Sequence, residues 1–266
     1  MPRLIRLTIP ALACAILMPV VSVSALGAPT LNSKAWTYTH DPANGYLSEI
    51  VAFDNASQTL WVAGVSGVDV LDARSGAFVQ RIDTRAYGNI NSVAIHGGVA
   101  AMAFEASVRT DPGNVRLFDT ATRSPLAGTN TFAVGALPDM LTFTPDGSKI
   151  LVANEGTPST YGALVSVPGV FPRTYGPAAL DPAGSVSIID MATRSVSATA
   201  TLAGVATTGT QIRTNTGMDF EPEYIAVNSA GTKAYVSLQE ANAMGVLDIQ
   251  SGSFARIVGL GVKDFS

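Results

Sequence analysis

Cysteine is nearly absent from this sequence: Cys14 is the one thiol in 266 residues. It lies in an N-terminal apolar segment, and without that segment the chain has no disulfide, no cysteine-based zinc site and no cysteine nucleophile. Histidine is scarce too. His40 and His96 are the only two, too few for a three-histidine zinc centre. Charged residues make up 14% and aromatics 7%, against 47% hydrophobic residues. That balance excludes an intrinsically disordered chain and a coiled coil. Basic excess is missing as well, since the formal net charge is −4. A nucleic-acid surface is therefore not expected, and Trp36, Trp61 and the tyrosines form no basic-aromatic ladder. The sequence contains no G-x-S-x-G elbow, no Walker A loop, no G-x-G-x-x-G after a strand and no H-E-x-x-H.

The N-terminus is an address. Arg3 and Arg6 precede an apolar run from Leu7 to Leu26, broken by Pro10 and Pro19 and followed by small residues up to Ala28. A basic start, an apolar middle and a small-residue end make residues 1–28 a secretory signal peptide. A membrane span would need about 20 uninterrupted apolar residues. No second such run follows, so no span is expected after signal cleavage. The predicted location is secreted, periplasmic or cell-surface.

Residues 29–266 carry four internal repeats. Each has a first strand (Glu49–Phe53, Asn91–Ile95, Asp139–Phe143, Glu223–Val227), a second (Leu60–Ala63, Ala100–Ala103, Ile150–Ala153, Ala234–Ser237) and a third (Val68–Asp72, Val115–Asp119, Val186–Asp190, Met244–Asp248). A fourth follows, as at Ser253–Val258. Asp72, Asp119, Asp190 and Asp248 each open a turn, where an Asp side chain accepts a backbone N–H two residues on. Four antiparallel strands per repeat predict an all-β fold, a β-propeller of four-stranded blades. About four blades are present, and Gly259–Ser266 reads as the lead-in to another. The chain is thus expected to be the N-terminal part of a larger propeller of about seven blades. Ala35–Thr39 reads as a lone strand of the kind that completes a last blade. The third repeat holds a Pro-rich insertion, 156–184, and a Gly/Thr-rich loop spans Gly204–Gly217.

In such a blade the start of the first strand and the end of the second share one face of the disc. First-strand starts carry Glu49, Asn91, Asp139 and Glu223; second-strand ends carry Glu105, Glu155 and Glu240, with Asn154, Gln239 and Asn242 nearby. Oxygen ligands gathered on one rim suit a hard cation, Ca²⁺ above all, and crowded carboxylates raise one another's pKa or recruit a cation. Asp139 and Glu155 are the leading pair, with Asp181, at the return of the insertion, as a further ligand. Paired carboxylates are also the equipment of acid–base hydrolysis.

Several stretches carry a family resemblance. Leu137–Gly147, Leu151–Gly156, Asp181–Asp190, Glu221–Val227, Ser237–Ala243 and Gly259–Asp264, in that order, resemble the choice-of-anchor I family over about residues 34 to 266. The resemblance implies a secreted or surface-attached bacterial β-propeller, longer than this chain and tethered by a variable C-terminal anchor. Relatives of that kind include proteins labelled alkaline phosphatase or mesenchyme-specific cell-surface glycoprotein. The functional expectation is a binding or scaffold module, calcium-associated, with an extracellular or envelope ligand that the sequence does not identify. The alternative is a metal-dependent phosphoesterase on the same rim; no catalytic motif of a phosphoric-ester hydrolase can be matched.

Overall fold

A computed structural model of the chain describes residues 34–41, 48–160, 163–164, 173–174, 180–213 and 220–263. The predicted signal peptide and Cys14 lie outside the described residues. Each predicted repeat becomes one sheet, in chain order. The first contains β1 (Ser48–Asp54), β2 (Thr59–Gly64), β3 (Gly67–Asp72) and β4 (Phe78–Asp83), paired consecutively and antiparallel. The second contains β5 (Ile90–His96), β6 (Val99–Phe104) and β7 (Pro112–Asp119). Its outer position is shared by β8 (Ser124–Pro125) and β9 (Thr131–Ala136).

The third sheet begins with β10 (Pro138–Phe143) and β11 (Lys149–Asn154). The Pro-rich insertion then contributes a small hairpin, β12 (Ala163–Leu164) with β13 (Arg173–Thr174). The chain returns to the sheet in β14 (Ser185–Asp190) and β15 (Ser195–Thr201). The fourth sheet is preceded by β16 (Thr207–Thr208), from the Gly/Thr-rich loop, and built from β17 (Ile225–Val227), β18 (Lys233–Leu238), β19 (Ala243–Asp248) and β20 (Ser253–Gly259). Strand β16 pairs parallel to β20, a fifth strand that the repeat pattern does not predict. The described residues are all-β, without a helix, and no helix among them is long and apolar enough to cross a membrane.

Consecutive sheets pack face to face. Trp61, Val68 and Val70 of the first meet Met102, Phe104 and Phe118 of the second. Val115, Leu117 and Phe132 of the second meet Leu141, Ile150 and Val152 of the third. Leu151, Val186 and Ile188 of the third meet Val236, Leu247 and Ile257 of the fourth. Both faces of the middle sheets are buried, which is why their strands read as nearly continuous apolar runs. Trp61 is fully buried and satisfies its indole N–H on Thr59 Oγ1 at 3.1 Å. The inner strands β1, β5, β10 and β17 touch in succession, so the sheets fan around a common inner edge.

The turn aspartates act as predicted. Asp72 Oδ1 accepts Ser75 N at 2.8 Å, Asp119 Oδ1 accepts Thr122 N at 2.7 Å, Asp190 Oδ1 accepts Thr193 N at 2.9 Å and Asp248 Oδ1 accepts Ser251 N at 2.9 Å. The Ser75 hydroxyl at Asp72, these backbone bonds and Lys149 at Asp190 hold all four carboxyls below the usual carboxylate range. His96 closes strand β5 just before the Gly97–Gly98 turn, with its ring 5.7 Å from that of Phe143 and Nε2 3.3 Å from the Pro145 carbonyl.

Ala35–Thr39 differs from its predicted strand. It joins no ladder, and residues 34–41 instead lie as an extended strap on the outer face of the first sheet. Alternate side chains hold it. Trp36 donates its indole N–H to the Ala73 carbonyl (3.3 Å), Tyr38 stacks on Phe78, and His40 Nδ1 meets Asp69 Oδ2 at 2.7 Å. Asp69 is fully buried and also receives Arg81 Nε (2.7 Å) and Nη2 (3.0 Å) and the Tyr38 hydroxyl (3.3 Å). Burial pushes the Asp69 carboxyl up, but the Arg81 and His40 bonds outweigh it and hold the pKa low.

Candidate functional site: an acidic rim built on repeated bulges

The first three sheets share an irregularity at the same place. The β1–β2 ladder slips between Ser48 and Ile50, the β5–β6 ladder between Ile90 and Ser92, and the β10–β11 ladder between Pro138 and Met140. The residues left without a cross-strand partner are Glu49, Asn91 and Asp139. A bulge re-aims the side chain that it carries and bends the strand. The fourth sheet reaches the same place irregularly: Glu223 N bonds the Ser237 carbonyl at 3.1 Å, just before β17. The second-strand ends are tied to the same edge. Glu105 N bonds the Asn89 carbonyl at 3.0 Å, and Glu155 N bonds the Leu137 carbonyl at 2.9 Å. Asn89 Nδ2 donates to Glu105 Oε1 at 2.7 Å.

Electrostatics link the six rim carboxylates into one group. Asp139 has its pKa pushed up to about 6, first by burial and then by the charges of Glu155, Glu49 and Glu105. Glu223 is pushed up to about 7, first by burial and then by Glu240, Glu155 and Asp139. Burial also raises Glu155, with Glu240 and Glu105 adding to the rise and the Thr157 hydroxyl and Arg109 opposing it. Glu49 from the first sheet therefore acts on Asp139 from the third, and Asp139 acts on Glu223 from the fourth: the charges face one another across the inner edge. Among the described residues, no three of His, Cys, Asp and Glu converge as a ready-made metal site.

Asp181 lies at the return of the insertion, just before Pro182. Its charge is not among the leading influences on Asp139, Glu155 or Glu223. Its backbone nonetheless returns to the rim. A side chain on Gly156 would meet the Pro182 carbonyl at 2.5 Å, and one on Gly184 would meet the carbonyls of Phe220 at 2.0 Å and Glu155 at 3.1 Å. Gly184 is thus the spacer that lets the insertion's return, the Glu155 segment and the Phe220–Glu223 segment cross in contact.

Sequence reasoning missed three participants, Glu221, Arg109 and Thr157. Glu221 is only 2% exposed, beside Glu223. Arg109, on the loop between β6 and β7, is the cation that offsets Asp139 and Glu155. Thr157 is buried against Glu155. Asn154 is fully buried and donates to Ser185 Oγ (3.1 Å) and Ser187 Oγ (2.9 Å), while its Oδ1 has no hydrogen-bond partner among the described residues. The acidic residue at a recurring offset was the signal that found the rim. A lone arginine or threonine in a loop gives no such signal.

A family model for the choice-of-anchor I domain matches residues 49–266, from the first bulge residue through all four sheets. The chain belongs to the choice-of-anchor I family. No curated protein matches its sequence. Among solved structures, this choice-of-anchor I domain is similar to a protein of unknown function from Bacteroides caccae. That likeness has a TM-score of 0.51 at 14% identity and covers 85% of this chain. The domain spans 64% of that structure's chain, so it matches less than two thirds of its neighbour. Hydrazine synthase from Kuenenia stuttgartiensis aligns over 76% of this chain and 65% of its own, at 16% identity and a TM-score of 0.40, too low to argue from. At these identities the Bacteroides likeness concerns the fold alone.

Proposed function

We propose that this choice-of-anchor I domain is a cell-surface-associated binding module whose acidic rim takes a divalent cation, Ca²⁺ by the chemistry of its oxygen ligands. The observation that carries the reading is the repeated bulge. It delivers Glu49 and Asp139 to the same edge as Glu105, Glu155, Glu223 and Glu240, where burial and the neighbouring charges push Asp139, Glu155 and Glu223 up. Six carboxylates opposed by Arg109 leave a strong local excess of negative charge. A cation would discharge it and draw the side chains together. Asp139 and Glu155 are the core ligands of this reading, Glu223 and Glu240 their partners across the edge, and Asp181 a ligand that would have to swing in. Family membership supports the surface-associated setting, and the predicted signal peptide agrees with it.

The test is a thermal melt of the mature protein in millimolar Ca²⁺ and in EDTA. A ligand at about 100 times its Kd stabilises by roughly 2.7 kcal/mol, a rise of several degrees for a chain of this size. Asp139→Ala with Glu155→Ala should abolish that rise. A cooperative melt indifferent to Ca²⁺ would reject the cation. The second reading, a metal-dependent phosphoesterase, draws support from two carboxyls poised near neutrality, the range that suits general acids and bases. Hydrolysis of p-nitrophenyl phosphate that needs Ca²⁺ and disappears with the same substitutions would favour it.

A further inference from the structure

One position repeats in the turn that leads to each outer strand. Four residues after the turn aspartate the backbone is left-handed: Gly76 (φ 71°), Arg123 (φ 56°), Arg194 (φ 52°) and Gly252 (φ 64°). In three sheets this position meets the outer edge of the sheet before. Arg123 Nη1 reaches Gln80 Oε1 of β4 at 3.5 Å, and Arg194 Nη1 reaches the Thr129 carbonyl, just ahead of β9, at 3.4 Å. A side chain on Gly252 would meet Ala198 Cβ of β15 at 2.6 Å. No sheet precedes the first among the described residues. There the same position meets the strap: a side chain on Gly76 would run into the Trp36 ring. The strap also runs as an outer strand runs. Trp36 sits at the Ala73 carbonyl beside the turn and His40 at Asp69, the sense in which β4 passes from Phe78 to Arg81, the cross-strand partner of Asp69. Residues 34–41 thus stand where the outer strand of a preceding sheet would stand.

Beneath them is a stacking face. The register puts Phe53, Leu60, Leu71 and Phe78 in one row across all four strands, on the side opposite Trp61 and Val70, with Val51 and Val62 in the next row. Leu71, beside the strap-bound Phe78, is buried, whereas Val51, Phe53 and Phe78 stay exposed. The strap turns Lys34, Thr37, Thr39 and Asp41 outward. A polar outer surface of that kind is what the end of a stacked array needs to stay soluble.

We propose that the strap is a cap: it shields this face, and a copy whose strap is unseated pairs through the face with the same face of a second copy. The face continues the stacking that joins the sheets within the chain, and a two-fold axis lays its apolar row against itself. Asp69 and Arg81, in the row of Val51 and Val62, neutralise each other and set no charge against the pairing. Four strands of six or seven residues make a face of about 20 Å by about 19 Å. That is about 400 Å² a copy, half the roughly 800 Å² of a standard interface, so pairing is weak, with a Kd on the order of 100 μM. The rim and any cation play no part in it.

The experiment is light scattering after size exclusion on the mature protein, on Trp36→Ala with Tyr38→Ala, and on that double variant with Phe53→Lys added. The parent is expected to keep one mass over a series from about 5 to about 500 μM, whereas the mean mass of the double variant should rise by about 1.7-fold at the top of the series, the value that Kd gives. Phe53→Lys should return it to the parent's mass, because the two-fold axis brings both added charges into one small interface. Gly76→Ala, which pushes on the Trp36 ring and keeps every strap side chain, should move the mass the same way. It decides the question if the double variant no longer melts cooperatively. A cooperatively melting double variant that keeps the parent's mass throughout, a parent that associates as readily as the variant, or association that survives Phe53→Lys would each overturn the cap.

Discussion

Replacing Asp139 by Asn should make the metal-free protein more stable at neutral pH, although the residue belongs to the candidate site. The Asp139 carboxyl moves from 3.8 to about 6 in the fold. A rise of about 2 corresponds to roughly 3 kcal/mol. Partial solvent contact screens the interaction, which leaves about 1–2 kcal/mol. The sign follows from proton binding. Between the unfolded and folded pKa values the native state holds more protons than the unfolded chain, so stability falls as pH rises through that window. Below about pH 4 both states are protonated and nothing is lost; above about pH 6 the full cost of the charge is present. Asn removes that cost. In EDTA at pH 7.5 its Tm should exceed the parent's by roughly 2–8 °C, taking about 2–4 °C per kcal/mol for a domain of this size. At pH 4 the two should coincide. In Ca²⁺ the order should invert, because the parent gains the ion and the variant does not. Differential scanning fluorimetry from pH 4 to 8, with and without Ca²⁺, reads all of this. An Asn variant that melts at or below the parent across the whole range in EDTA would refute the account of rim repulsion.

Other outcomes follow from the packing. Asp69→Asn should destabilise by about 3 kcal/mol, because it leaves the Arg81 guanidinium without its carboxylate; its Trp36 emission should shift to the red as the strap loosens, and an unchanged spectrum would count against the strap. Gly184→Ala should lower Tm and abolish any Ca²⁺-induced shift together, since the new methyl group meets the Phe220 carbonyl at 2.0 Å; a variant with parental melts would contradict the described crossing. Trp61→Ala should cost about 3–5 kcal/mol as a buried large-to-small change, measurable by urea denaturation, and should leave rim chemistry untouched in whatever fraction remains folded.

The four sheets were legible because each strand is a short β-branched run closed by an Asp-led turn, and both signals are local. The rim was legible for a related reason: a repeat puts its acids at a fixed offset, so four weak hints align. What escaped was non-local or exceptional. The role of His40 was not legible because its partner, Asp69, is 29 positions away and reads as an ordinary strand residue between Val68 and Val70. Ala35–Thr39 has the composition of a strand, yet its aromatic side chains bind a sheet face instead of a ladder. The first piece of the split outer strand of the second sheet ends at Pro125, which has no N–H to donate, and an excursion to Asn130 intervenes before pairing resumes at Thr131. How the insertion and the Phe220–Glu223 segment return, with Glu221 buried, is encoded by no periodicity.

The repeated bulge also bears on how such a rim could change over time. A residue paired across a ladder is constrained by its neighbour, whereas Glu49, Asn91 and Asp139 sit where the pairing skips a position. Their identity is uncoupled from the stacking that keeps the sheets together. Asn91 already shows the latitude: an amide occupies the place where two other sheets carry acid, and its Nδ2 reaches the Pro138 carbonyl at 3.2 Å instead of bearing charge. One position per sheet can therefore be exchanged without rebuilding the sheet, and the charge of the whole rim can be rewritten a step at a time on an unaltered scaffold.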